Sequence, residues 1–113
     1  MLFKKPLTDY LVEYAADHAQ IGTRLTHMLG IPMIVASLPM LPLNPLAGGA
    51  LFVGGWALQF VGHYVFEKND PKFFSDPANL FIGVLWAFME WARVFGFELP
   101  IPGVDQSAFA HAA

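Results

Sequence analysis

The chain has 113 residues, of which 56% are hydrophobic and 13% charged, with no cysteine and a formal net charge of -3. A soluble domain carries about 25% charged residues, so this chain cannot easily cover its own surface with charge, and a membrane-embedded protein is the natural class. The length suits one domain, the acidic balance argues against nucleic-acid binding, and the lack of cysteine excludes disulfides, zinc fingers and thiol catalysis.

Lys4 and Lys5 are followed directly by no apolar run and no small-residue cleavage site, so no signal peptide is expected. Leu7, Tyr10, Leu11, Tyr14, His18 and Ile21 recur at three- and four-residue steps, with Asp9, Glu13, Asp17 and Gln20 on the other side. The spacing predicts an amphipathic helix over residues 7–21, lying at a membrane surface or capping a bundle. Gly22 is expected to break it and Thr23 to cap a second helix over residues 24–38, kinked at Pro32. Pro39, Pro42, Asn44 and Pro45 then read as a turn.

A third helix is predicted over residues 46–67, about 20 residues and long enough to cross a hydrocarbon core. After a polar loop, Asp76 reads as the cap and Pro77 as the first position of a fourth helix running to Gly96. The fold expected is all-α, a membrane-embedded bundle of about four helices with the first amphipathic and the next two an antiparallel hairpin. It forms one helical membrane domain over residues 1–98, with 99–113 an extended or flexible tail that carries His111. Lys4, Lys5, Arg24, Lys68 and Lys72 fall at the same ends of these helices, which places that side in the cytoplasm.

No charge lies between His27 and His63. The two stand about 17 and 18 residues either side of the hairpin turn, so at ~1.5 Å per residue their rings reach nearly the same depth. His18 lies nine residues before His27 and can join them only if the chain bends near Gly22. On the third helix Gln59, His63 and Glu67 make a polar stripe at four-residue steps, and polar groups inside a membrane helix face the bundle interior. Histidines with a carboxylate suit non-haem iron(II), and the carboxylate can instead hold a histidine's second nitrogen. Glu67 can equally pair with Arg24. Glu90 is expected on the far side, paired with Arg93 or solvated, ~20 Å from the histidine level.

Two stretches carry a resemblance, "YAADHAQIGTRLTHMLGIP" and "WALQFVGHYVFEKNDP". In the second, the spacing of Gln59, Gly62, His63, Glu67 and Pro71 is the specific part. The chain resembles the Mpo-type 2-hydroxy fatty acid dioxygenases, first recognised in fungal phytosphingosine breakdown and with bacterial relatives, from about Tyr10 to Gly96. The resemblance implies an integral membrane enzyme that uses Fe(II) and O2 to shorten 2-hydroxy fatty acids by one carbon. Its compartment would be the cytoplasmic membrane of a bacterium or the endoplasmic reticulum of a eukaryote. It implies His18, His27 and His63 as iron ligands and catalytic residues, with Glu67 a fourth ligand or a support for one.

A 2-hydroxy carboxylate can chelate iron through both oxygens. Arg24 at the charged rim is then expected to hold the substrate carboxylate, and Gln59 to touch substrate or steady a ligand. The partners implied are the hydroxy acid, O2 and membrane lipid, with no nucleic acid and with oligomerisation left open. Two other readings stay open: a haem-binding membrane bundle, and a non-catalytic scaffold.

Overall fold

The structure, a computed structural model, describes residues 2–97 and is helical throughout its regular elements. In chain order these are α1 (Leu7–Asp17), α2 (Ile21–Leu43), α3 (Pro45–Val61), a π-helical segment Gly62–Glu67 that continues α3, a 3₁₀ turn Lys72–Phe74, and α4 (Asn79–Val94). The expected tail and His111 lie outside the described residues.

α2 and α3 form the antiparallel hairpin. A single residue, Asn44, closes it: its N–H donates to the Met40 carbonyl at 2.7 Å and its side chain accepts from Ala47 N. Pro45 follows at the first helical position, where its missing N–H costs nothing. The helices touch through small residues. A side chain on Gly55 would meet the Gly30 carbonyl and Ile34 Cγ1, each at 2.7 Å, and one on Gly48 would meet the Leu41 backbone at 2.6 Å. Such close backbone approach is how helices associate when lipid leaves them little hydrophobic incentive. Gly55→Ala is therefore expected to pry the hairpin open and lower stability by about 1–3 kcal/mol. Gly49→Ala, whose side chain would meet nothing within 4 Å, serves as the neutral control in the same detergent melts.

α2 differs from expectation. It runs through Pro32, Pro39 and Pro42 and turns only at Asn44. All three prolines face outward, so their rings do not wedge against a neighbour. Pro32 cannot donate to the Met28 carbonyl, and Trp91 Nε1 of α4 donates to that carbonyl instead, at 2.8 Å. Partner groups of this kind let apolar helices keep interior prolines. The result is a 23-residue α2, matched by 23 continuous helical residues from Pro45 to Glu67. Both are long and apolar enough to cross a membrane, and only 28% and 22% of their most apolar windows is buried within the chain. A core helix of a soluble protein would be mostly covered.

The core lies at one end. Tyr10, Leu11 and Tyr14 of α1, Met28 and Ile31 of α2, and Ile82, Trp86 and Ala87 of α4 form one buried cluster. The hairpin tip projects away from it, with Leu43 and Leu46 82% and 86% exposed.

Three further boundaries move. α1 stops at Asp17, and the bend into α2 is made by residues 18–20, with Gln20 extended; Gly22 lies inside α2, where a side chain would strike the Phe66 ring. Thr23 is buried in α2 rather than capping it, its hydroxyl donating to the Gly62 carbonyl at 3.2 Å. α4 begins at Asn79 because Asp76 is spent on the preceding turn: it accepts from Ala78 N and from the Tyr10 hydroxyl at 2.7 Å, a long-range tie between α1 and the start of α4.

Candidate metal centre and its cavity

His18 sits just past the end of α1, where the last carbonyls of a helix lack backbone partners. Its Nδ1 is 2.6 Å from one of them, the Tyr14 carbonyl, and its ring stacks on the Tyr14 ring at 3.9 Å. His27 repeats the device inside α2, with Nδ1 2.9 Å from the Thr23 carbonyl four residues back. His63 lies in the π-helical segment, and its Nδ1 faces Asn69 Oδ1 at 2.8 Å.

Each Nδ1 therefore faces an oxygen that can only accept, which in a neutral ring places the proton on Nδ1. The three Nε2 atoms are left with bare lone pairs, and they point at one another. His63 Nε2 is 3.2 Å from His18 Nε2 and 3.1 Å from His27 Nε2. The rings meet edge to face, with centroids 4.5–4.8 Å apart. In that tautomer no hydrogen bridges these nitrogens, and the donor set fits an electron-poor centre. Ligand nitrogens about 2.1 Å from a common ion stand roughly 3.0–3.4 Å apart, the spacing that His63 Nε2 keeps to each of the other two.

All three histidines are buried, and their ligand atoms lie within 4.8 Å of one another. Burial pushes the His18 pKa down to about 3; the Tyr14 carbonyl opposes the shift, while nearby His63 and Lys72 reinforce it. The ring thus stays neutral at physiological pH, the form a metal requires. The triad could hold a metal ion, and three nitrogen donors leave further coordination positions open.

Those positions adjoin a cavity of about 360 Å³, a size typical of small-molecule sites. Its walls are mostly apolar, including Ile34 and Leu38 of α2, Phe52 and Trp56 of α3, and Phe81 and Val84 of α4. Gln59 also lines it, buried, with Nε2 donating to the Gly55 carbonyl at 3.4 Å.

Two expected members lie elsewhere. Glu67 is not in the histidine cluster: its carboxylate accepts from Gln20 N at 2.9 Å and so fastens the bend between α1 and α2. Glu67 is the last residue of the π-helical segment, where it meets the start of α2. Arg24 is not at an open rim. It is 3% exposed and bridges Glu90, with Arg93 Nη1 on the other carboxylate oxygen at 2.9 Å. Glu90 is accordingly not on the far side. α4 packs at the histidine level, with Trp86 5.6 Å from the His18 ring and Glu90 reaching α2.

Asn69 is the residue that sequence reasoning missed. Lys68 takes the left-handed conformation (φ 58°) and folds the chain back, so that Asn69 N donates to the His63 carbonyl at 2.9 Å. Its side chain then reaches His63 Nδ1, while its Nδ2 donates to the Asp17 carbonyl at 3.2 Å. Only its place in "HYVFEKNDP", two residues past a helix end, hinted at this. Partners that orient ligand histidines are worth about 10- to 100-fold in metal affinity. Asn69→Ala is expected to lose that much in chelator competition, and Asn69→Asp, which keeps an acceptor, to lose less. Asn79 was also missed: it lines the cavity with its Oδ1 meeting no donor among the described residues.

A helical hairpin whose open end gathers three imidazoles beside a mostly apolar cavity could hold a metal ion next to an apolar ligand. Residues 4–95 match the Mpo1-like family, described as 2-hydroxy-palmitic acid dioxygenase Mpo1-like, and the chain belongs to that family. No curated protein and no solved structure matches it.

Proposed function

We propose that this protein is an iron(II)-dependent dioxygenase of the membrane that shortens 2-hydroxy fatty acids by one carbon. The observation that carries the reading is the junction of the three converging Nε2 atoms with a mostly apolar cavity. The family description supports the substrate class, and two long, poorly covered helices support the membrane setting.

His18, His27 and His63 would hold the iron. A bound ferrous ion would supply oxygen activation and a seat for the hydroxyl and carboxylate oxygens of the acid. The protein's own work is positional. The Tyr14 and Thr23 carbonyls and the Asn69 amide fix the three rings against rotation. The walls of α2, α3 and α4 take the alkyl chain and exclude water from the reacting end. Gln59 offers a carboxamide on the same wall.

A haem held between histidines needs its ligands on opposite faces of a ring system. Here all three rings meet on one side, at centroid distances of 4.5–4.8 Å. Protein purified without added metal is expected to carry about one iron per chain and no Soret band. With O2 it is expected to convert a 2-hydroxy fatty acid to the acid one carbon shorter. Iron-loaded protein that leaves the hydroxy acid intact would sink the reading.

A further inference from the structure

We propose that Lys72 is the residue that binds the carboxylate of the ligand, and that Asp17 holds it in readiness; this rests on the fatty-acid reading above. Among the described lysines and arginines, Lys72 alone lines the cavity. It begins the 3₁₀ turn that bridges the hairpin and α4, and Phe73 beside it lines the same wall. Its Nζ lies 2.9 Å from Asp17 Oδ2. Asp17 immediately precedes His18, and Lys72 is close enough for its charge to act on the His18 ring. The ammonium therefore stands at the histidine end of the cavity, where the head of a chain lying along the apolar walls must sit.

The bridge is built to exchange. Both partners keep partial solvent access, with side chains 25% and 36% exposed, so the pair is weakly held. An incoming carboxylate offers Lys72 the same chemistry as Asp17, in a cavity whose apolar walls strengthen the interaction. Arg24 cannot take this part, because Glu90 already binds it away from the cavity lining. Lys72 is a specificity-determining residue that selects acids over uncharged lipids of equal length.

The test measures binding to the iron-loaded full chain in phosphatidylcholine nanodiscs. The probes are 2-hydroxyhexadecanoic acid and hexadecane-1,2-diol, which keeps the chain and the 2-hydroxyl but lacks the charge. A hydrogen bond to a charged group contributes about 1.5–3 kcal/mol, so Lys72→Gln should weaken the acid by about 10- to 100-fold. The diol and the iron content should stay unchanged. Asp17→Asn should act in the opposite direction, tightening the acid severalfold by freeing the ammonium. Equal weakening of acid and diol, or an unchanged preference for the acid in Lys72→Gln, overturns the proposal. If wild-type protein shows the Lys72-dependent preference yet turns nothing over, the reaction reading fails and the carboxylate site stands. If it turns the acid over and Lys72→Gln keeps its preference, the reverse holds. If it binds neither probe, both fail.

Discussion

Replacing His27 with alanine is expected to empty the metal centre. His27 Nε2 is one of the three nitrogens that would hold the ion, 3.1 Å from that of His63. Loss of a ligand should exceed the ~10- to 100-fold cost of losing a residue that merely orients one. Iron per chain should fall to background and turnover with it. The fold should survive, because His27 contributes a ring to the site while the nearby helix contact is made through Gly62, whose side chain would otherwise meet that ring at 3.0 Å. An unchanged circular dichroism spectrum with no bound metal is the expected pair of observations. Full activity with alanine at position 27 would remove the imidazole from the centre altogether.

The second large effect concerns stability. Glu90 is 2% exposed and is shared by two guanidiniums, Arg24 from α2 and Arg93 from its own helix. Removing Arg24 as Arg24→Met leaves a carboxylate still bridged by Arg93. Removing the carboxylate as Glu90→Leu sets two cations together in the interior with their common anion gone. Breaking a buried ion pair costs about 3–5 kcal/mol, and Glu90→Leu should reach that range while Arg24→Met falls short of it. Thermal melts in detergent give the order directly, and the opposite order would mean that α2 and α4 are joined mainly by packing. Restoring the carboxylate one methylene shorter, as Glu90→Asp, should recover part of the loss.

The histidine site was legible to the extent that helix arithmetic applies. His27 and His63 flank a turn at similar distances, and an uncharged stretch between them left a hairpin as the simplest arrangement; their rings do meet at 4.8 Å. His18 was legible from its place on the apolar face of α1, but the bend that delivers it was assigned to Gly22 when residues 18–20 make it. The prolines of α2 misled for a specific reason. Their helix-breaking rule assumes that a freed carbonyl goes unsatisfied or turns to water, and at Pro32 a tryptophan 63 positions away supplies the missing donor. No local pattern encodes that.

The end of the π-helical segment, where Lys68 folds the chain back, hid the roles of Glu67 and Asn69. Four-residue spacing marks a shared stripe but not a shared partner, and Glu67, at the end of the π-helical segment, meets Gln20 instead of the histidines. The polar stripe from Gln59 to Glu67 therefore contains two separate jobs, a site and a hinge fastening, that one periodicity merges. Arg24 and Glu90 escaped because the second half of α4 packs against the start of α2, at the level of the histidines. Depth counted along the chain then says nothing about which polar groups meet.

The one-residue connection at Asn44 also sets an order of assembly. With so short a link, α2 and α3 can zip together from their adjoining ends, each contact bringing the next within reach at little loop-closure cost. His27 and His63 are thus expected to pair before α1 and α4 close over them, with His18 arriving last. Refolding kinetics should reflect this. Gly55→Ala, within the zipper, should slow folding, whereas Tyr14→Leu, in the late-docking helix, should chiefly speed unfolding.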